Sequence, residues 1–255
     1  MAETTEHREL KRLSCRWLRE QGHVAVAMEV TDPTGRFRVD VAGWTDRGPG
    51  PIQTVVIECK RSRGDYMRDG VRASGLLSRR AALLEDLRAR GLRPAMLFSV
   101  NDPPAQPTLF DDHRLDAARP GRAVRRIRVE LAAIERQLFR GAKFARMARW
   151  RGASQLWVAA PRGLVSPGEL PLGWGLLEAP LEALRSPVPE GIAAGRVLAP
   201  RREAPGLGCS EASQARLLRN IAVANSRYVG GRAHQGNWSR KWRESPSPGS
   251  RSVAG

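Results

Sequence analysis

The sequence predicts an α/β fold, in which flanking helices cover a mixed central β-sheet. Amphipathic helical segments alternate with short apolar strand segments along the first 180 residues, and this alternation is typical of a sheet with helices packed against it. Two strand segments follow one another across a turn-rich linker, which indicates a hairpin inside the sheet. A chain of 255 residues can bury one α/β core and carry an appendage.

The first predicted elements are a helix and a strand. Residues 5–21 carry leucines and a tryptophan on one helical face, and Gly22 follows as a stop signal. Residues 24–30 form the first predicted strand, with Glu29 near its end. Two interpretations of Glu29 remain open: it joins an acidic cluster, or it is a residue of an edge strand.

The next two strands form the predicted hairpin. Residues 36–42 carry Asp40, and residues 54–60 are apolar except at Glu58 and Lys60. Because side chains alternate along a strand, Glu58 and Lys60 share one face. The linker is rich in Asp, Gly and Pro, which form turns. Such a hairpin brings Asp40 alongside Glu58.

The remaining elements follow from the same patterns. The segment from residue 181 is rich in Pro, Gly, Ser and Arg, and predicts a largely disordered C-terminal tail. The expected organisation is one domain at 1–180 and a tail at 181–255 with a short helix at 210–226. Further predicted elements are a helix at 76–90, a buried strand at 94–100, a loop at 101–121, one long basic helix at 122–151, a core strand at 155–161 and a closing strand within 170–178.

The net charge of +17 favours a polyanionic partner. However, 39 of the 43 basic residues are arginine and only four are lysine, in a chain also rich in Ala, Gly and Pro. This skew indicates a coding bias, so the bulk charge is weaker evidence than its size suggests. The same skew makes the lysine at position 60 more informative.

The segment 119–151 concentrates the positive charge, with eleven basic and two acidic residues. Its apolar residues are spaced for a buried stripe, so the arginines are expected on the outer face. Contact with DNA phosphates is the natural use of such a face, and the alternative is a solvated face in an arginine-rich chain. The expected DNA-contacting residues are Arg122, Arg125, Arg126, Arg136, Arg140 and Lys143.

The acidic pair of the hairpin predicts a site for a hard cation. Burying charged groups together costs free energy unless they are paired or bind an ion. Asp40 and Glu58 would hold Mg²⁺, or Mn²⁺, with the backbone carbonyl of Cys59 as a further oxygen ligand. Lys60 could position the attacking water or help to deprotonate it. The alternative is a solvated Glu–Lys pair on an edge strand.

These residues resemble the PD-(D/E)XK nuclease superfamily, which has the restriction-endonuclease-like fold. The matching pattern is Asp40 followed by Glu58, Cys59 and Lys60, after a leading helix; Val39 stands where the family name has proline. The resemblance implies a metal-dependent deoxyribonuclease with Asp40, Glu58 and Lys60 as catalytic residues.

Segments after the triplet are similar to the bacterial MmcB-like DNA repair members of this superfamily. One is the continuation at 61–69, and the other is the strand at 155–161 with the Gly- and Trp-containing segment that follows it. The resemblance covers about residues 6–178. It implies an endonuclease of DNA repair or processing, and many enzymes of this class act as homodimers.

Four further residues are candidates for supporting the site. Many superfamily members place a glutamate of the first helix at the metal, whereas the closest correspondence here is His7. Ser62 and Asp65 could support the site or cap the next helix, and Glu29 could join the acidic cluster. His7 leaves the third metal ligand open.

Two other functions remain in view. One is a catalytically degenerate nuclease scaffold that binds DNA without cutting it. The other is an accessory factor, because Gln106–Phe110 resembles the peptide by which bacterial proteins dock on the sliding clamp. Pro107 departs from the usual pattern of that peptide, and a local apolar anchor is the alternative.

Cysteine usage and hydropathy predict a cytoplasmic protein. The three cysteines are widely spaced and form no CxxC pair, which fits a reducing compartment. No signal peptide is expected from the first residues, and no apolar run approaches the ~18 residues that span a bilayer.

Overall fold

A computed structural model of the chain describes residues 3–46, 51–69, 74–92, 122–139 and 143–233. The predicted α/β class is confirmed: a six-stranded mixed sheet is flanked by helices. The strands are β1 (Ala25–Thr31), β2 (Arg38–Thr45), β3 (Gln53–Cys59), β4 (Gln155–Pro161), β5 (Trp174–Ala179) and β6 (Ala199–Arg202). The helices are α1 (Thr5–Glu20), α2 (Arg63–Asp69), α3 (Ser74–Ala89), α4 (Arg122–Leu138), α5 (Lys143–Trp150) and α6 (Glu211–Ala233).

The strands lie in sequence order across the sheet. β1, β2 and β3 pair antiparallel, β3, β4 and β5 pair parallel, and β6 returns antiparallel to β5. The predicted hairpin is therefore β2 and β3. Because β4 lies beside it, β3 is a central strand, which excludes the edge-strand interpretation of Glu58 and Lys60.

Helices bury both faces of the sheet. On one face, Phe144 of α5 and Leu217 of α6 pack with Trp174, which is fully buried. On the other face, Leu10 of α1 packs with Trp157 and the apolar side of β3. A third cluster joins α3 to α4. The central strands β3, β4 and β5 are buried along almost their whole length, as expected for a sheet that is covered on both sides.

The prediction of one long basic helix at 122–151 was wrong, because the described residues form two helices, α4 and α5. Their apolar sides belong to different clusters. Leu131 of α4 packs against α3, whereas Phe144 and Met147 of α5 pack against the sheet.

Residues 181–233 do not form the largely disordered tail that the sequence predicted. Leu184 and Leu198 are fully buried, and β6 extends the sheet. Helix α6 is longer than predicted and covers the edge strand β1, where the Asn220 amide donates to the Thr31 carbonyl at 2.9 Å. This cover satisfies backbone groups that an edge strand leaves unpaired.

Side chains of α1 hold the segment that follows β5. Glu9 is buried and accepts the Val188 N–H at 2.8 Å, while Glu20 accepts the N–H groups of Ala194 at 2.6 Å and Gly195 at 2.9 Å. The composition of this segment predicted disorder, and that prediction missed the contacts with α1. The partners of the segment lie on a helix far away in sequence, so they leave no local signal.

Several predicted features lie outside the described residues. They are the strand at 94–100, the loop with Gln106–Phe110, Arg140, and the chain beyond residue 233. Among the helices that are described, none is long and apolar enough to cross a membrane.

Gly175→Ala should destabilise the protein. A Cβ at Gly175 would lie 2.5 Å from Cε3 of Trp157 and 2.7 Å from the backbone nitrogen of Ala204. Since the backbone of β5 cannot move away without disturbing its neighbours, we expect a loss of ~1–3 kcal/mol in the free energy of unfolding, measured by urea denaturation. Gly206→Ala is the control, because nothing lies within 4 Å of its added Cβ. Equal stabilities of the two variants would contradict this packing.

Candidate functional site

Three acidic residues lie at one level on neighbouring strands. The register pairs Val41 with Ile57, so Asp40 of β2 and Glu58 of β3 follow at the same level. In the same way, β1 pairs Met28 with Val41 and Val30 with Val39 of β2, so Glu29 lies opposite Asp40. The hairpin therefore brings Asp40 alongside Glu58, as the sequence predicted.

Glu29 lies on the edge strand β1 and also belongs to this row of three acids. Its backbone has φ 55°, a left-handed conformation that is uncommon for a residue with a side chain. Its carboxylate pairs with Lys11 and, at 2.7 Å, with Nε of Arg38. These ion pairs hold the side chain over β2.

Glu58 is the most deeply buried acid of the site, with 1% of its surface exposed. Nζ of Lys143 lies 2.7 Å from its Oε1, and Nζ of Lys60 lies 3.9 Å from its Oε2. Burial and the charge of Asp40 raise the pKa of Glu58 to about 7, against the opposing effect of Lys143 and Lys60. The carboxylate therefore depends on these ammonium groups to stay ionised.

Asp40 is held in the ionised form. Burial would raise its pKa, but contacts with His7, the Cys59 N–H and Lys11 lower the pKa to about 2. The Cys59 N–H donates to Oδ2 at 2.8 Å, and Oδ1 lies 3.3 Å from Nζ of Lys11 and 3.6 Å from Nε2 of His7. Of the two neighbouring carboxylates, Asp40 thus carries the permanent charge.

Lys11 of α1 is a site residue that sequence reasoning missed. It is buried, and its Nζ also lies 2.8 Å from Glu3 Oε1 and contacts Glu29. Burial lowers the pKa of Lys11, but its hydrogen bonds to Glu29 and Glu3 and the charge of Asp40 raise the pKa overall. The available signal was the rarity of lysine, which Lys11 shares with Lys60.

Lys143 was predicted to contact DNA on the outer face of a basic helix, and the structure places it in the site instead. It is the first residue of α5, and its Nζ also donates to the Arg38 carbonyl at 2.7 Å. The split of the basic segment into α4 and α5 accounts for this position. α5 turns its first residue towards β2 and β3.

Ser62 and Asp65 act as caps at the start of α2. Oγ of Ser62 accepts the Asp65 N–H at 3.2 Å, and Oδ2 of Asp65 accepts the Arg61 N–H at 3.4 Å. Both contacts are local, as the capping alternative predicted. The side chain of Cys59 belongs to the apolar cluster on the opposite face of the sheet, so only its backbone faces the site.

The outer face of α4 carries the predicted arginines. Arg122, Arg125, Arg126 and Arg136 are exposed. The first three line an open hollow on the surface together with Val129. The buried stripe of α4, which includes Ile127 and Leu131, lies on its other side, as predicted.

Asp40 and Glu58 are the two neighbouring carboxylates that a metal ion could use. Within the described ranges, no three His, Cys, Asp or Glu side chains converge as a metal-binding group. Magnesium, however, usually takes only one or two carboxylates from a protein and completes its shell with water and phosphate oxygens. Glu58 Oε1 is buried and makes no hydrogen bond, although it pairs with Lys143. Asp40 and Glu58 therefore fit a magnesium site with two carboxylates.

Comparisons with known proteins give no family. No protein-family model matches the chain, and no curated protein matches it. Among solved structures, the chain is similar to the SPO1766 protein of unknown function from Silicibacter pomeroyi, with 17% sequence identity and a TM-score of 0.44 over 94% of this chain and 100% of that one.

Glu58→Gln should remove a pH dependence of stability in metal-free buffer. The folded-state pKa of Glu58, about 7, lies above the ordinary value of 4.5. A raised carboxyl pKa stabilises the fold fully below pH 4.5, and this contribution is lost as the pH rises through 7. Between pH 5 and pH 8 the wild type should lose about 1–3 kcal/mol more than Glu58→Gln, measured by urea unfolding.

The matched control for this prediction is Glu85→Gln, which changes an exposed glutamate of α3. It should follow the wild-type profile. If Glu58→Gln also follows that profile, Glu58 does not titrate as the structure indicates.

Proposed function

We propose that the protein is a metal-dependent endonuclease that hydrolyses phosphodiester bonds of DNA, with a site of the PD-(D/E)XK type. One observation carries the proposal: Asp40 and Glu58 lie at the same level on neighbouring strands, with the ammonium of Lys60 3.9 Å from Glu58. This is the constellation that the resemblance implies for the catalytic residues.

Asp40, Glu58 and the backbone carbonyl of Cys59 would hold Mg²⁺ or Mn²⁺. When bound, the ion supplies a Lewis acid that polarises a phosphoryl oxygen and lowers the pKa of water. Asp40 is suited to this role because its low pKa keeps it charged at any physiological pH. Its Oδ2 is fixed by the Cys59 N–H, so the carboxylate is oriented in advance.

Lys60 is the residue placed to act on the attacking water or on the phosphate. Its Nζ lies between Glu58 and the ring of Phe144, 5.5 Å from the ring centroid. Its N–H bonds the Ala159 carbonyl at 2.8 Å, which fixes the backbone just past β3. An ammonium held in this way can donate to a phosphate oxygen and neutralise charge that develops during hydrolysis.

DNA affinity would come mainly from phosphate contacts. The arginines of α4 are exposed and available to phosphates, so we expect sequence-independent binding that weakens with salt. A role in DNA repair or processing is what the MmcB-like resemblance implies. A homodimer and a clamp contact remain predictions.

A second candidate function is a DNA-binding protein on a degenerate nuclease scaffold. The observation that favours it is the pairing of both carboxylates with lysine: Asp40 with Lys11 and Glu58 with Lys143. Ammonium groups in these positions oppose metal binding. This function predicts salt-sensitive DNA binding with no cleavage in any divalent metal.

Cleavage of a panel of labelled DNAs tests the proposal. Duplex, flap, junction and single-stranded substrates are incubated with Mg²⁺, Mn²⁺ or EDTA. The wild type should cut with metal only, and Asp40→Asn, Glu58→Gln and Lys60→Met should each lose activity by about 100-fold or more, with unchanged circular dichroism. The control is Asp86→Asn, at a partly exposed position of α3.

Undiminished cutting by Glu58→Gln would exclude this site as the catalytic centre. If the wild type binds DNA but cuts none of the substrates in either metal, the degenerate scaffold is the correct function.

Arg122, Arg125 and Arg126, all changed to Gln, should weaken DNA binding without a sequence preference. Three lost phosphate contacts would reduce the slope of log affinity against log salt by about 2–3, measured by fluorescence anisotropy between low and physiological salt. The charge-matched control changes the exposed Arg185, Arg201 and Arg216 to Gln. If the control reduces the slope as much as the α4 variant, binding is spread over the surface and α4 is not the DNA interface.

A further inference from the structure

Lysine is concentrated at the candidate site. Of the 43 basic residues only four are lysines, and three of these four contact its carboxylates: Lys11, Lys60 and Lys143. The guanidinium of arginine is broad and planar, and its rigid fork of donors needs several acceptors in matching positions. The ammonium of lysine is a compact charge on a flexible stem. A chain that uses arginine almost everywhere thus uses lysine where a compact cation fits among carboxylates.

Lys143 has the environment of a bound cation. Its Nζ lies 2.7 Å from Glu58 Oε1 and donates to the Arg38 carbonyl, also at 2.7 Å. A carboxylate oxygen and a backbone carbonyl are the ligands that hard cations take in proteins. The ammonium therefore occupies an oxygen that Glu58 would offer to a metal ion.

Lys143 is also the more accessible of the two lysines at Glu58. Its side chain is 19% exposed, against 7% for Lys60. Lys60 directly follows β3, two residues from Glu58, and packs near the Phe144 ring. Lys143 instead reaches the site from the first residue of α5, so its stem can swing outwards without moving the sheet.

Charge balance explains why Glu58 needs such a partner. The carboxylate is buried next to the ionised Asp40, and the two repel each other. A buried carboxylate without a counter-charge is strongly unfavourable. A divalent ion that binds Glu58 and Asp40 would supply this counter-charge and repel the ammonium of Lys143.

We propose that the ammonium of Lys143 is paired with the Glu58 carboxylate in the metal-free protein. A divalent metal ion that binds this carboxylate displaces the ammonium, and Lys143 moves towards solvent. This inference rests on the proposed function, since it takes Asp40 and Glu58 as the metal pair. Lys143 is a positioning residue for Glu58 in the metal-free protein and competes directly with the metal.

Calorimetric titration of Mn²⁺ without DNA tests the competition. Lys143→Met removes the ammonium and keeps most of the length of the side chain, so it should bind Mn²⁺ at least tenfold more tightly than the wild type. The control is Arg146→Met, which removes one positive charge from an exposed position of the same helix and should leave the affinity within twofold. Equal or weaker binding by Lys143→Met overturns the proposal, as does an equal gain in Arg146→Met.

Lysine acetylation of the wild type gives a second measurement that needs no variant. The few lysines of the chain make the products easy to assign by mass spectrometry. Saturating Mn²⁺ should raise the acetylation rate of Lys143 at least fivefold, whereas Lys60 should stay slow. An unchanged rate at Lys143 in the metal-loaded protein overturns the proposal. Absence of Mn²⁺ binding in both the wild type and Lys143→Met overturns it too.

The outcomes separate this inference from the nuclease function. Metal-dependent cutting by the wild type, with equal Mn²⁺ affinity in Lys143→Met, removes the inference and leaves the function. Tighter Mn²⁺ binding in Lys143→Met, with no cutting by either protein, supports the inference and removes the function.

Discussion

The burial of the Glu58 carboxylate beside the half-buried carboxylate of Asp40 is the constraint on which the rest of the site depends. Their repulsion in a water-poor environment requires counter-charges close by. Three elements supply them: α1 brings Lys11, the end of β3 brings Lys60, and α5 brings Lys143. The positions of both helices on the sheet therefore serve electrostatics as well as apolar burial.

The same constraint connects the fold to its proposed chemistry. The ammonium groups that stabilise the folded, metal-free protein occupy carboxylate oxygens that a metal ion would need. Under the proposed function, stability without metal and affinity for metal would oppose each other at Glu58, because one oxygen cannot serve both cations fully. Asp40, with its low pKa and its contact to the Cys59 N–H, stays charged in either state.

Local patterns made the centre of the fold predictable. Alternation along β3 placed Glu58 and Lys60 on one face, and the turn-rich linker made β2 and β3 a hairpin, so Asp40 was expected beside Glu58. The capping alternative for Ser62 and Asp65 followed from their positions just before α2 and in its first turn. The prediction of one long basic helix was wrong because the apolar residues of α4 and α5 pack into different clusters. The spacing of apolar residues along the sequence does not show which cluster each of them joins.

The sequence by itself determined the α/β class, the strand carrying Glu58 and the outward arginines of α4, because strand alternation and helical periodicity are properties of neighbouring residues. Only the tertiary structure decided that Lys11 and Lys143 complete the site, that Glu29 joins the acidic row, and that the chain after β5 packs on α1 and the sheet. The partner of a buried charge is whichever opposite charge the packing of the fold brings close. The distance between two residues along the sequence does not indicate whether they meet in this way.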